Sequence, residues 1–546
     1  MQKLEDAPRY LPSWVTAKRA WPIAVIFVAA LVLRLLILAS SQRYVDADEA
    51  VVGIMAKHIA ELGVHPIFFY GQSYGGGAAV EAHLAALPFL LFGVSSLALK
   101  SVALAVSMGT LLASAAFCWR FFGRNHAIVS SAILATATAL IELNTKMRGG
   151  YVTMLLLSVS IWYVFAMIAY EGRRDGWLFF ALGALSGFAY YNQELIASQV
   201  LLLAVASTWW RSAFWNRAAI SRLALGGIVG LLPLLYHNLT HGFSNWAHLA
   251  FALLGDGSLS LDHLLKLPTR YLPGLFVGHN IDDFAAAIPA MAWLEYGLYA
   301  GSVGYVLFSS RGFLRAKLRS VFSRGQPPIP DSRPGLETLL ALSVLVHVVI
   351  YGLSSKAGVS PRYLLPIYPA LAMVAGSAIC ELGSCSGVLP RLLALGSLVA
   401  LVAIGGAGSL AHIRPATVTD GVYVARGVQE NRETRGESIP AVIRHLRGIG
   451  VSHVRSPYFS QWRLVFESDE SIIAGCRDLI PCSVRYFDYE ERVLEADRVA
   501  YVFHRDSLLP PELRAGGGSR YHEEIIHEYR VFVDRRHLGA PILRRR

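Results

Sequence analysis

The stretch YVDADEAVVGIMAKHIAELG, residues 44–63, sets the carboxylates of Asp46, Asp48 and Glu49 directly behind the first long apolar segment of the chain. Carboxylates beside a membrane gain little from burial and ordinarily face a wet cavity or a substrate. An acid so placed can act as a general base, taking the proton of an attacking hydroxyl. The same spacing also has a structural use. Asp46 as N-cap and Glu49 three positions later form a capping box, and acids suit the positive end of a helix dipole. Val51, Val52, Met55, Ile59 and Leu62 then recur at helical spacing before Gly63, which predicts a membrane-surface helix starting near Asp48. Asp48 is thus the first choice for chemistry and Glu49 the second, while Asp46 has the larger structural share.

The loop continues as FFYGQSYGGGAAVEAH, residues 68–83. Gln72, Tyr74, Glu81 and His83 offer hydrogen bonds suited to sugar or acceptor hydroxyls, and the glycines let backbone approach a ligand closely. A plain flexible loop would carry the same residues. Basic residues form a second group. ELNTKMRGGY (142–151) brings Lys146 and Arg148, and SSKAGVSPRYLLPIYP (354–369) brings Lys356 and Arg362, to the ends of apolar segments. Such side chains often snorkel to headgroups, but guanidinium groups also bind phosphate oxygens in a bidentate way.

The elements that must position these groups are membrane helices. Of 546 residues, 54% are hydrophobic and only 16% charged, far from a soluble composition. About eleven spans are expected between Trp21 and Leu410, centred near 21–40, 98–118, 126–143, 151–170, 177–191, 195–210, 223–237, 285–308, 336–353, 363–382 and 391–411. The apolar piece Leu84–Phe92 is too short to cross and is expected at the interface. Lys and Arg concentrate in alternate loops, which puts the N-terminus in the cytoplasm and the acidic first loop outside. The net charge of +11 is therefore a topology signal; no basic patch with interleaved aromatics accompanies it, which argues against a nucleic-acid partner. Arg34, inside the first span, either pairs with an acid or snorkels, and Glu194 is expected to line the outer cavity. No inverted pair of broken helices of the transporter kind is evident.

Residues 1–411 read as the membrane domain and 412–546 as a soluble extracytoplasmic α/β domain. ESIPAVIRHLRGIG and QWRLVFES have helical spacing, and VSHVRSPY, DRVAYVFH and YRVFVDRR read as strands. Cys476 and Cys482 form a candidate disulfide in an oxidising compartment. No cysteine and histidine clusters point to zinc.

A first helix followed by DADEA, then YGQSYGG, then MRGGY, and PRYLLPIYPALAMVAG opening a late span together resemble the polytopic GT-C glycosyltransferases. The likeness over residues 20–375 is to the protein-mannosyltransferase and aminoarabinose-transferase group, glycosyltransferase family 39 and its bacterial kin. It implies an all-α membrane bundle with an outward catalytic cavity, a polyprenyl-phosphate-linked sugar donor and no obligatory metal, although Asp46 and its neighbours could join a divalent ion. It also implies Asp48 as base beside Glu49, with Arg148 and Arg362 on the lipid phosphate. Tyr151 and Tyr363, within the last two motifs, join the expected sugar or acceptor contacts. Where many relatives carry a His-Pro-Pro stretch, this chain has EAHLAAL, so the acceptor, whether glycan, lipid or protein, is the least transferable item. A lipid or solute transporter or flippase, and an inactive GT-C-like binding scaffold, are the alternatives. Acids gathered at one end of the bundle weigh against the transporter.

Overall fold

The computed structural model describes residues 13–247, 261–276, 288–315, 333–353, 361–424, 427–514 and 520–537. Lys356 lies outside the described residues. The chain is an integral membrane helical bundle followed by a small C-terminal sheet region. In order come α1 (Ser13–Ala39), α2 (Ala47–Leu62), α3 (Gly76–Phe92), α4 (Ser96–Phe121), α5 (Arg124–Thr136), α6 (Thr138–Asn144), α7 (Tyr151–Ala169), α8 (Gly176–Asn192) and α9 (Ala197–Ala206). Helices Arg217–Gly230, Leu232–Thr240, Ala290–Ser309, Arg333–Leu353, Tyr368–Ser384 and Val388–Ala411 complete the bundle.

The expected spans are helical where described, yet 6 are long and apolar enough to cross alone, and up to 8 if each bent pair counts as one. Two of the expected spans are bent pairs, while α8 and α9, at 17 and 10 residues, are short for a crossing. α5 and α6 meet at a bend of 68°, and Arg217–Gly230 meets Leu232–Thr240 at 61°. A break inside a membrane frees carbonyls that must be satisfied by neighbours. Around Ala137 the neighbours are visible. Arg34 donates through Nη1 to Ala135 O at 3.2 Å, Ser409 Oγ donates to Thr136 O at 3.1 Å, and Thr138 Oγ1 reaches Gly405 O at 2.9 Å. Arg34 also holds Ser107 Oγ at 3.0 Å. Neither an acid partner nor a headgroup explains it: Arg34 is 1% exposed and braces the bend. That bend aims α6, and hence the following Lys146 and Arg148, across the end of the bundle.

α2 begins as its sequence dictates. Asp46 Oδ1 accepts from Glu49 N at 3.0 Å, Glu49 Oε2 accepts from Asp46 N at 3.1 Å, and Gly63 closes the helix at φ 65°. The surface position expected for it is not what forms. Val51, Val52, Ile54 and Met55 are all 0% exposed, because α2 is packed between α3 and a helix of the C-terminal region. A Cβ on Gly53 would lie 2.4 Å from the Phe466 ring, so only glycine permits this approach. α3, containing the expected interfacial piece, is a 17-residue apolar helix, short for a crossing.

The C-terminal region starts with the hairpin β1 (Thr417–Val424) and β2 (Gly427–Arg435). β3 (His453–Arg455), β4 (Ile473–Gly475), β5 (Val499–His504), β6 (Tyr521–Ile526) and β7 (Tyr529–Asp534) form a second sheet in the order β4-β3-β5-β7-β6. β3 pairs in parallel with β4 and β5, while β7 is antiparallel to β5 and β6. Helices Ser438–Gly448, Tyr458–Glu467 and Phe487–Glu495 supply the connections. The strands and helices expected from the tail motifs are present; β1, β2, β4 and β6 were not legible. Cys476 and Cys482 are joined, with Cα atoms 5.2 Å apart. One apolar cluster runs from Val52, Ala79 and Leu99 to Trp462, Val465 and Val502, so the C-terminal region shares its core with α2, α3 and α4.

Candidate active site

Asp48, the second residue of α2, is held by two donors on separate oxygens. Arg148 Nε donates to Oδ2 at 3.3 Å, and the Tyr458 hydroxyl donates to Oδ1 at 2.7 Å. The Asp48 side chain remains 30% exposed, against 14% for Arg148, so the carboxylate keeps a wet face. Tyr458 is the first residue of the Tyr458–Glu467 helix in the C-terminal region. No local pattern in the sequence marked it.

Asp46 lies behind this pair. Its Oδ2 is 3.8 Å from Arg148 Nε and 3.6 Å from Lys146 Nζ. Burial works to raise its pKa, but Arg148 and then Lys146 outweigh burial and bring it down to about 2. Burial likewise opposes the Lys146 charge, and Asp46 overcomes it and holds that pKa above the usual lysine value. Asp46 and Lys146 are 6% and 8% exposed, so both are committed to each other and to the helix cap. A cavity of about 20 Å³, lined by Asp46, Glu49, Glu142, Lys146, His412 and Arg414, lies here and has room for a single water.

Glu49 corrects an expectation. It was placed next to Asp48 in the chemistry, yet it is 1% exposed and both its oxygens are engaged. Oε1 accepts from Lys100 Nζ at 2.6 Å and from Met147 N at 3.2 Å, and Oε2 accepts from Asp46 N at 3.1 Å. Glu49 therefore ties α2 to α4 and to the loop that carries Arg148. Lys100, 2% exposed, was missed; its signal was a lone charge one turn inside an apolar 26-residue helix, a placement that demands a partner.

Glu81 and His83 are also placed differently. Glu81 is 0% exposed and neither carboxylate oxygen makes a well-aligned hydrogen bond. It packs behind the Gly149–Gly150 turn, where α3 and the turn touch so closely that a Cβ on Gly77 would lie 2.4 Å from Gly150 Cα. His83 points the other way, exposed, with its Nε2 at 3.2 Å from His65 Nδ1. Burial pushes the Glu81 carboxyl from 4.5 up to about 8, with the Gly150 and Gly149 amides offsetting part of the rise. Because the folded pKa is the higher one, the cost of charging Glu81 is absent below 4.5 and accumulates as pH climbs toward 8. Glu81→Gln is expected to stabilise the protein at pH 8 by about 4 kcal/mol and to be neutral near pH 4.5. Thermal unfolding in detergent at the two pH values checks this; an equal effect at both would rule out titration as the cause.

Gln72, Tyr74, Tyr151, Arg362 and Tyr363 make contacts of their own. The Gln72 amide oxygen accepts from the Tyr74 hydroxyl at 2.8 Å and from Arg485 Nη2 at 3.2 Å. Burial raises the Tyr74 hydroxyl above its ordinary value, with Arg485 opposing the rise and Tyr363, Glu194 and Asp48 adding to it. Burial raises the Glu194 carboxyl. The Arg362 guanidinium carbon lies 6.0 Å from the Tyr151 ring centre and 5.4 Å from that of Tyr363. His347 Nε2 donates to Tyr363 O at 2.8 Å and fixes that backbone. Among the described residues no three His, Cys, Asp or Glu side chains are grouped as metal ligands.

The bundle with its two bent helix pairs, followed by a small C-terminal sheet region, has the GT-C fold. ArnT from Cupriavidus metallidurans has this fold. Its apo crystal structure matches with a TM-score of 0.61 at 14% identity, covering 96% of this chain and 99% of that one. Its structure bound to undecaprenyl phosphate matches with a TM-score of 0.62 at 13% identity, covering 95% and 99%. No protein-family model matches the sequence, and no curated protein matches it significantly.

Proposed function

We propose that the chain is a GT-C-type glycosyltransferase of the bacterial plasma membrane, moving a sugar from a polyprenyl-phosphate carrier to an acceptor on the extracytoplasmic face. The observation that carries this is the Asp48 carboxylate, partly open and 3.3 Å from Arg148, in a fold shared along nearly the whole chain with a protein crystallised with undecaprenyl phosphate. The division into a membrane domain, 1–411, and an extracytoplasmic domain, 412–546, belongs to the same reading. So does the orientation, with the N-terminus cytoplasmic, which rests on the basic loops.

The chemistry needs few groups. Asp48 takes the proton of the acceptor hydroxyl while that oxygen bonds to the anomeric carbon. The bond from that carbon to the phosphate oxygen breaks, and the electron pair leaves with the polyprenyl phosphate. Attack opposite the leaving group inverts the anomeric centre. Arg148 and Arg362 compensate the charge that builds on the departing phosphate, and Gln72, Tyr74, Tyr151 and Tyr363 supply hydrogen bonds to sugar and acceptor. A donor already activated as a phosphate needs no metal in this scheme.

The test is transfer of labelled sugar in membranes containing the protein, with polyprenyl-phosphate sugar offered against a nucleotide sugar. Transfer from the lipid donor is expected. Transfer from the nucleotide sugar alone, or from neither, overturns the proposal.

A further inference from the structure

Tyr458 is separated from Asp48 by 410 residues, yet its hydroxyl makes the shorter of the two hydrogen bonds to that carboxylate. The Tyr458 ring is 8% exposed and is gripped on its sides. Phe459 meets it edge-on with centres 5.5 Å apart, and the Arg485 guanidinium carbon lies 5.4 Å from its centre. Arg485 in turn stacks 4.8 Å from Phe69 and donates to Gln72 in the first loop.

The helix that carries Tyr458 is itself locked to α2. Lys57 Nζ lies 2.6 Å from Asp469 Oδ1 and 2.9 Å from Glu470 Oε2. His58 Nε2 lies 3.3 Å from Glu470 Oε1, which also accepts from the Tyr489 hydroxyl at 2.5 Å. With Phe466 filling the space over Gly53, the hydroxyl of Tyr458 has little freedom to be anywhere else.

We propose that Tyr458 of the C-terminal region is a positioning residue for Asp48, fixing the carboxylate so that its remaining lone pairs face the acceptor hydroxyl. The inference rests on Asp48 being the base. A short aspartate side chain has two rotatable bonds, and one donor on one oxygen leaves it able to swing. Donors on both oxygens, Arg148 from the bundle and Tyr458 from the C-terminal region, stop it. Misplacement of a catalytic group by about 1 Å can cost as much as 100-fold in rate. The C-terminal region is then part of the reaction centre and not only a cover for it.

The experiment uses the full-length protein and a polyprenyl-phosphate sugar donor, measuring kcat and the donor KM separately for wild type and Tyr458→Phe. The phenylalanine ring keeps the packing and removes only the hydroxyl. The expected result is kcat lowered roughly 10-fold or more, a donor KM within about two-fold, and an unchanged melting temperature. A wild-type kcat in Tyr458→Phe overturns the assignment and leaves the glycosyltransferase reading standing. A loss of kcat that arrives with a raised KM and a lowered melting temperature also overturns it, since that pattern belongs to a docking role. No transfer by the wild type removes the functional reading and this inference together.

Discussion

Asp48→Asn is expected to abolish most sugar transfer, lowering kcat by about 10²–10⁴-fold, the usual contribution of a positioned general base. The substitution is nearly isosteric, and Asn still accepts one hydrogen bond from Arg148 or Tyr458. The helix start is untouched, because the cap is made by Asp46 and Glu49. Loss of activity with an unchanged melting profile therefore isolates chemistry from folding. If Asp48→Asn transfers sugar at the wild-type rate while stably folded, Asp48 is not the base. Arg148 is the natural companion. It sits 3.3 Å from Asp48 and 3.8 Å from Asp46, which holds the guanidinium beside the carboxylate that would act as base.

The second large effect is on stability. Lys100→Met is expected to destabilise the protein by about 3–5 kcal/mol, because removing one partner of a buried ion pair leaves the other charge uncompensated. Glu49 and Lys100 have side chains only 1% and 2% exposed and lie 2.6 Å apart. Glu49 keeps its bonds from Met147 N and Asp46 N in the variant, but these do not neutralise it. The double change Glu49→Gln with Lys100→Met removes both charges and is expected to recover most of the loss. Thermal unfolding of the three proteins in the same detergent measures this, and a Lys100→Met protein that melts with the wild type would show that the pair is not structural. Because Glu49 also holds Met147 N at 3.2 Å, the single variant should displace the loop that carries Arg148 and lose transfer as well.

These two experiments separate roles that the sequence had merged. Asp48 and Glu49 are adjacent acids of similar chemistry, and their place beside the membrane together with the family resemblance ranked both as catalytic. Helical geometry turns neighbouring side chains about 100° apart, which sends Glu49 back toward α4 and leaves Asp48 at the opening. The capping box could be read in advance because Asp46 and Glu49 are three residues apart and the bond is local. The Glu81 environment could not, since its burial depends on the Gly149–Gly150 turn reaching across to α3. His83 was expected beside Glu81 in the site, but two positions along a helix differ by more than half a turn, and it faces His65 instead.

The sequence by itself determined the membrane character, the helical segments of the bundle and the capped start of α2. All of these follow from composition, hydropathy period and short-range capping. Only the tertiary structure decided which acid is open and which is buried, that Arg34 braces a broken helix, that Lys100 pairs with Glu49, that Tyr458 reaches Asp48 and that Arg485 reaches Gln72. Lys100 meets Glu49 across 51 residues and Tyr458 meets Asp48 across 410. Such pairings leave no periodic trace in the chain, because they are fixed by how the C-terminal region packs against α2 and not by any local preference of the residues that meet.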